Sequence, residues 1–336
     1  MNLHSRIYQD LTEEMIKEIV RHHFGVSSSV EAIPLKGGLF NTTYKLIFHS
    51  SNRELVLRAG PVNRHLLLPF EHDLMSAERR VYDLLTQKGI PCPKVIVCDT
   101  TKLMIDRDYM ITEYLPSTPL SDPSIPEASQ TKLLEETGEW IAQMHAITGN
   151  KFGRMAPDAC DGSDVDWWSF LCKHVQDVST QCAKFDVFDE QTINRVTQLF
   201  EQNSWLYRSV NRPHLIHTDL WAGNVLVQQL EGTDRHKVAA IIDADRVIWG
   251  DTDYEFASPW MMNEHFFKGY GEMRGDETTI RQLKLDTYRL HCSYTEAYIW
   301  QVQYATPEEF EQCKRRIFEL LDTIEPRLQQ RNNVEW

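Results

Sequence analysis

Residues 215–228 read LIHTDLWAGNVLVQ, and nineteen positions after Asn224 comes Asp243, within the segment IIDAD. His217, Asp219 and Asn224 fall in one loop against an apolar run. A second apolar run, residues 238–242, follows the turn-rich segment EGTDRHK. Two such runs around a turn predict an antiparallel ribbon. Paired positions in a ribbon have a constant sum, and 467 centres the turn between Thr233 and Asp234 with Asn224 opposite Asp243. Facing residues lie about 4.5–5.5 Å apart at Cα, so an amide oxygen and a carboxylate there can grip one hard cation. Two protein oxygens are few for calcium but suit magnesium that also holds phosphate oxygens and water. Asp219 can approach the same ion without ligating it and accept the proton of an attacking hydroxyl, worth typically ~10²–10⁴-fold in rate. His217 reads as a structural prop that hydrogen-bonds backbone.

The surroundings of this loop are those of an ordinary globular chain. Its 336 residues, 42% hydrophobic, can bury one large core or two moderate ones. A net charge of −14 argues against nucleic acid or an anionic membrane as partner, and weakly favours a cationic small substrate. The seven cysteines include no CxxC pair, which argues against a disulfide framework or zinc knuckle. The start, MNLHSRIYQDLTEEM, lacks the apolar core of a signal peptide, and no window approaches a membrane span. The expected setting is cytoplasmic and thiol-reducing.

Strand-like runs dominate the first third. A helix is expected from Asp10 to Phe24, with Asp10 and Glu13 as a capping box and Gly25 as its stop. IPLKGGLFNTTYKLIF, ELVLRAG and DYMITEYL read as strands, with a helix from about Asp73 to Lys88 between the last two. PSTPLSDPSIP reads as a linker. Beyond it, helical periodicity runs through KLLEETGEWIAQMHAI, residues 277–304 and residues 307–329. The pattern predicts an α+β chain in two lobes, with residues 1–112 before a hinge at 113–118 and residues 119–336 after it. A cleft between lobes is a usual place for a ligand.

HTDLWAGN followed by IIDAD has the spacing of a kinase catalytic loop and metal-binding aspartate. With IIDADRVIWGDTDYEFA, it resembles the aminoglycoside phosphotransferase family, protein-kinase-like small-molecule kinases related to choline and fructosamine kinases. The resemblance implies a protein-kinase-like fold that uses ATP and Mg2+ on a small-molecule hydroxyl. Asp219 would be the catalytic base, Asn224 and Asp243 the magnesium ligands, and Asp251 a brace beneath the loop. Thr218 departs from the His-Gly-Asp usual in these families.

The first lobe offers matching parts. Gly37 and Gly38 could let backbone N–H groups approach phosphates, although Gly-Gly is also an ordinary hairpin turn. Leu74, Glu78, Val81 and Leu85 share one helix face, so Glu78 either reaches water at the edge of that stripe or needs a cation. Arg58, in the strand ELVLRAG, is the obvious partner and could bind α/β-phosphates by its planar fork. ITEYL resembles a kinase hinge, with the Glu113 carbonyl and Leu115 N–H bonding adenine and Thr112 as gatekeeper. For the acceptor, MAPDACDGSDVDWWSF sets carboxylates beside Trp167 and Trp168, as would suit an amine, but also reads as a solvated loop leading into core residues. Asp253, Glu255, Tyr294, Glu296 and Trp300 are further candidates. A protein kinase and a non-catalytic nucleotide-binding module are the rival readings.

Overall fold

The computed structural model describes residues 5–25, 30–35, 38–155, 162–258, 260–271 and 279–332. Helix α1 (Glu13–Phe24) opens it. Thr12, not Asp10, is its N-cap, accepting from the Met15 N–H at 3.2 Å, and Gly25 ends it in the left-handed region at φ 70°. Strands β1 (Val30–Leu35), β2 (Thr42–Phe48) and β3 (Arg53–Ala59) follow, then helix α2 (Leu74–Gln87), β4 (Val95–Asp99) and β5 (Tyr109–Glu113). They make one antiparallel sheet in the order β1-β2-β3-β5-β4. Alternation along β2 and β3 sends Tyr44, Leu46, Phe48, Leu55 and Leu57 inward, as the two-residue period of a strand requires. Ile16, Ile19 and Val20 of α1 join them in one core.

Beyond Glu113 the chain crosses to short β6 (Thr118–Pro119), helix α3 (Glu127–His145), short β7 (Gly153–Arg154), and helices α4 (Trp167–Lys184) and α5 (Glu190–Gln202). Then come β8 (His214–Ile216), β9 (Val225–Gln229), β10 (His236–Ile241), β11 (Ile248–Gly250), α6 (Thr252–Glu255), α7 (Glu264–Tyr270), α8 (Thr279–Tyr298) and α9 (Pro307–Asn332). The expected α+β arrangement is present, with a five-stranded sheet first and mostly helices after it. The proline-rich stretch is no free linker. Thr118 pairs with Val227, and Leu120 and Ile125 are buried in a core that also holds α2 and the β9–β10 ribbon. Proline at an edge position costs that short strand no ladder bond it needs.

The ribbon forms, but in a different register. His236 pairs with Gln229 and Val238 with Val227, then a bulge between Val238 and Ala240 shifts the pairing. Asn224 therefore receives the Ile242 N–H at 2.9 Å, and Asp243 lies one residue further on instead of opposite Asn224. An extra residue in one strand is what a bulge inserts.

Helices α3 and α7 approach closely because glycine lies at both contacts. A Cβ on Gly269 would come within 1.8 Å of the Glu135 carbonyl oxygen, and one on Gly138 within 2.1 Å of the Phe266 carbonyl oxygen. Both obstacles are backbone, so they cannot swing aside. Gly269→Ala should lower stability by about 1–3 kcal/mol through overpacking, read as a lower urea midpoint with an unchanged slope.

Candidate active site

The loop after β8 is fixed from three sides. Glu255, buried in α6, accepts the His217 N–H at 2.5 Å and the Thr218 N–H at 3.0 Å. His217 is fully buried, and its Nε2 donates to the Ile242 carbonyl at 3.0 Å while Nδ1 accepts the Asp219 N–H at 3.3 Å. It is the backbone prop expected of it, joining the loop to the IIDAD segment. Thr218 adopts φ 67°, a left-handed conformation that is costly for a β-branched residue. Its hydroxyl donates to the Arg246 carbonyl at 2.9 Å.

The expected brace is corrected by this geometry. Asp251 accepts from Lys284 and Tyr288 and caps α6, so it steadies the helix that carries Glu255. Glu255 is the group that touches the loop.

Asn224 and Asp219 meet directly, the Asn224 amide donating to the Asp219 carbonyl at 2.8 Å and to its Oδ2 at 3.1 Å. The amide oxygen of Asn224 is then left to accept a different partner. Asp243, at φ 61°, donates its N–H to the Tyr82 hydroxyl, and one of its carboxylate oxygens accepts from Arg58. Its side chain is 40% exposed, so it opens toward solvent. Among the described residues no cluster of three or more His, Cys, Asp or Glu side chains could hold a metal. An ion drawing only these two oxygens must take the rest of its shell from phosphate and water, which fits magnesium.

Arg58 bridges Glu78 and Asp243. Glu78 is fully buried in α2, so the cation reading of its place in the apolar stripe holds. Burial works against the Arg58 charge, but Glu78 and then Asp243 outweigh it and hold the guanidinium well above its ordinary value. Gly38 lies in the turn before β2, 3.1 Å (from an added Cβ) to the Asn41 carbonyl. Gly37 lies outside the described residues. Glu113 ends β5 and gives its N–H to Lys94, while its carbonyl accepts the Thr112 hydroxyl at 3.2 Å. Leu115 follows, half-buried, its carbonyl accepting from Ser117.

A cavity of about 480 Å³ opens beside Asp219. Its walls include Thr218, Trp221 and Arg246 from the loop region, Glu296 from the end of α8 and Trp300 just beyond it. There α8 passes into a π-helical turn, Ile299–Gln303, where a continuous helix was expected; such turns recur at functional sites. Trp221 and Trp260 are 45% and 68% exposed at this cavity. Of the carboxylates near Trp167, Asp158 and Asp161 lie outside the described residues. Asp164 pairs through its backbone with Phe152, and Asp166 caps α4. Trp167 is core, so the bland reading of that stretch holds for its described part. Asp253 pairs with Arg281 and Lys284, and Tyr294 bonds Ser179; neither lines the cavity. Arg154, Arg246 and His174 were missed. Arg246 had a signal, being the one cation between Asp243 and Asp251; Arg154 had none.

Burial raises the Asp219 pKa above the ordinary carboxylate value, and Arg246 is the largest influence pulling it back. Arg246 itself is held by the buried Glu71 carboxylate at 3.1 Å.

The chain belongs to the phosphotransferase enzyme family, whose model matches residues 31–285. It is 26% identical over 216 residues to hygromycin-B 4-O-kinase of Escherichia coli, covering 59% of this chain and 58% of that protein. The chain thus spans little more than half the length of that relative. A probable ketoamine kinase of Lactiplantibacillus plantarum is 24% identical over 228 residues, 67% of this chain and 71% of that one. In fold, the chain matches a thermostable variant of aminoglycoside phosphotransferase APH(4)-Ia in ternary complex with AMP-PNP and hygromycin B. That match has TM-score 0.66 and 19% identity, over 91% of this chain and 98% of the other.

Two predictions follow from the charges. Glu78→Ala would leave Arg58 buried against Asp243 alone; removing one partner of a buried pair costs about 3–5 kcal/mol, measurable by urea unfolding. If Asp219 acts in its ionised form, activity must fall as pH drops through its raised pKa. Arg246→Gln should therefore move the acid limb of the kcat/KM profile to higher pH.

Proposed function

We propose that this protein is an ATP- and Mg2+-dependent phosphotransferase acting on a hydroxyl of a small molecule. The observation that carries this reading is Asp219, held rigidly at the rim of a cavity while Asn224 joins it to the side where Arg58 and Asp243 lie. Nucleotide would bind between residues 1–112 and 119–336, its adenine against the 113–118 hinge at Glu113 and Leu115. The Gly38 turn (with Gly37) and Arg58 would receive the phosphates. Asn224 and Asp243 would hold magnesium, which supplies neutralisation of phosphate charge.

The acceptor hydroxyl would lie in the cavity with Asp219 in hydrogen-bond reach. Its oxygen forms the new bond to the γ-phosphorus, the bond from that phosphorus to the bridging oxygen breaks, and ADP leaves. The acceptor proton goes to Asp219. Burial raises the affinity of Asp219 for that proton, which suits a base near neutral pH.

The names of the relatives support an aminoglycoside-like compound, amino sugar or related alcohol as the acceptor class, and a cytoplasmic site of action accords with ATP as donor. A protein-kinase reading would need an activation segment after Asp243, but α6 begins only nine residues beyond it. A non-catalytic module gives Asp219 and its three-sided support no work.

Asp219→Asn should keep AMP-PNP affinity within a few-fold and reduce kcat by at least ~10²-fold; unchanged turnover would remove Asp219 as base. Asp243→Ala should abolish the magnesium-dependent part of nucleotide binding in calorimetry run with and without the ion.

A further inference from the structure

Of the three guanidinium groups that line the cavity beside Asp219, Arg246 pairs with Glu71 and Arg316 with Glu296, while Arg154 has no ion pair among the described residues. Arg154, at the end of β7, stacks its guanidinium 3.7 Å over the Phe70 ring and, among the described residues, donates to the Arg246 carbonyl at 3.1 Å. Among the described residues it has no carboxylate within ion-pair distance, and its Nε is buried with no hydrogen-bond partner. Arg246 differs, since Glu71 answers its charge. His174 lines the same cavity, and among the described residues neither of its ring nitrogens has a hydrogen-bond partner. Burial holds that imidazole well below its ordinary pKa, so it is neutral and presents one N–H donor. Burial and the neighbouring Arg246 push Arg154 down to about 10, which leaves it charged at neutral pH.

Burying a guanidinium and an imidazole unpaired is costly, and a fold keeps such groups where a ligand satisfies them. The nucleotide is not that ligand, because Arg58, Asn224 and Asp243 do not line this cavity. Arg154 is nonetheless joined to the catalytic loop through one atom: the Arg246 carbonyl accepts from both Arg154 and the Thr218 hydroxyl. A group bound on the floor is thereby held in fixed relation to Asp219. The same cavity can also take donors, since Glu309, which lines it, has a buried oxygen without a partner among the described residues.

We infer that Arg154 and His174 form an anion subsite, so that the acceptor is a hydroxyl compound carrying a carboxylate or phosphate. This rests on the phosphotransferase reading and narrows it away from purely cationic acceptors, against the weak preference that net charge suggested. The acid group binds the floor, the tryptophans Trp221, Trp260 and Trp300 cover the body of the molecule, and the hydroxyl reaches Asp219.

The test is ADP release by the full-length protein with matched acceptors: hydroxy acids of graded length, their primary amides, hydroxyalkyl phosphates, and hygromycin B as a cationic comparator. The acids or the phosphates should exceed the amides by at least roughly 10²-fold in kcat/KM, because a site built around a polar group rejects the analogue lacking it. Whichever anion wins names the source. Arg154→Met should bring that ratio close to one, and Arg154→Lys should retain part of it, with thermal melts confirming that both variants fold. Amides or hygromycin B matching the anions in the wild type, or an undiminished ratio in Arg154→Met, would overturn the subsite. Failure of AMP-PNP to bind at all would instead sink the phosphotransferase reading. If AMP-PNP binds but no acceptor turns over, calorimetry with the same acids decides: equal or absent binding in wild type and Arg154→Met overturns the proposal.

Discussion

The charge on Arg58 ties the two parts of the molecule together. It leaves strand β3 of the sheet, pairs with Glu78 on α2, and reaches Asp243 in the segment after the β9–β10 ribbon. Glu78 has no exposed surface, and Arg58 is the cation it pairs with. Such a carboxylate persists only while the guanidinium stays beside it. Asp243 is thereby held from the sheet side, while Tyr82 holds its backbone from α2. Apolar packing follows the same path, since Val81, Tyr82 and Leu85 share a core with Leu220, Val225 and Ile241.

The loop that carries Asp219 obeys a different economy. Its backbone enters the left-handed region at Thr218, a conformation costing roughly 1–2 kcal/mol for an L-residue. Three hydrogen bonds donated by the loop, two to the Glu255 carboxylate and one to the Arg246 carbonyl, over-determine it. The threonine hydroxyl gives something a glycine could not, a bond to the Arg246 carbonyl. That same carbonyl receives Arg154, so Thr218 and a cavity-lining guanidinium meet at one atom.

Much of this was legible in one dimension. The spacing of Asp219, Asn224 and Asp243 marked the family, and the apolar stripe of α2 marked Glu78 as either an edge carboxylate or a partner for Arg58, which its burial decides for Arg58. Gly25 ended α1 as its chemistry demands. Other features were not legible. The bulge that sets Ile242, not Asp243, against Asn224 leaves no mark in a run of apolar residues. Asp251 and Glu255 lie four apart in one acidic stretch, and only the fold decides which of them faces the loop.

What the sequence alone determined was the set of chemical groups and their order, because spacing within a loop, or along one face of a helix, is fixed by local geometry. Which groups share a cavity was decided by the tertiary structure. Arg154, His174, Arg246 and Glu296 come from a short strand, α4, the segment after the ribbon, and α8. No local period relates them, and their charge balance exists only once those elements pack.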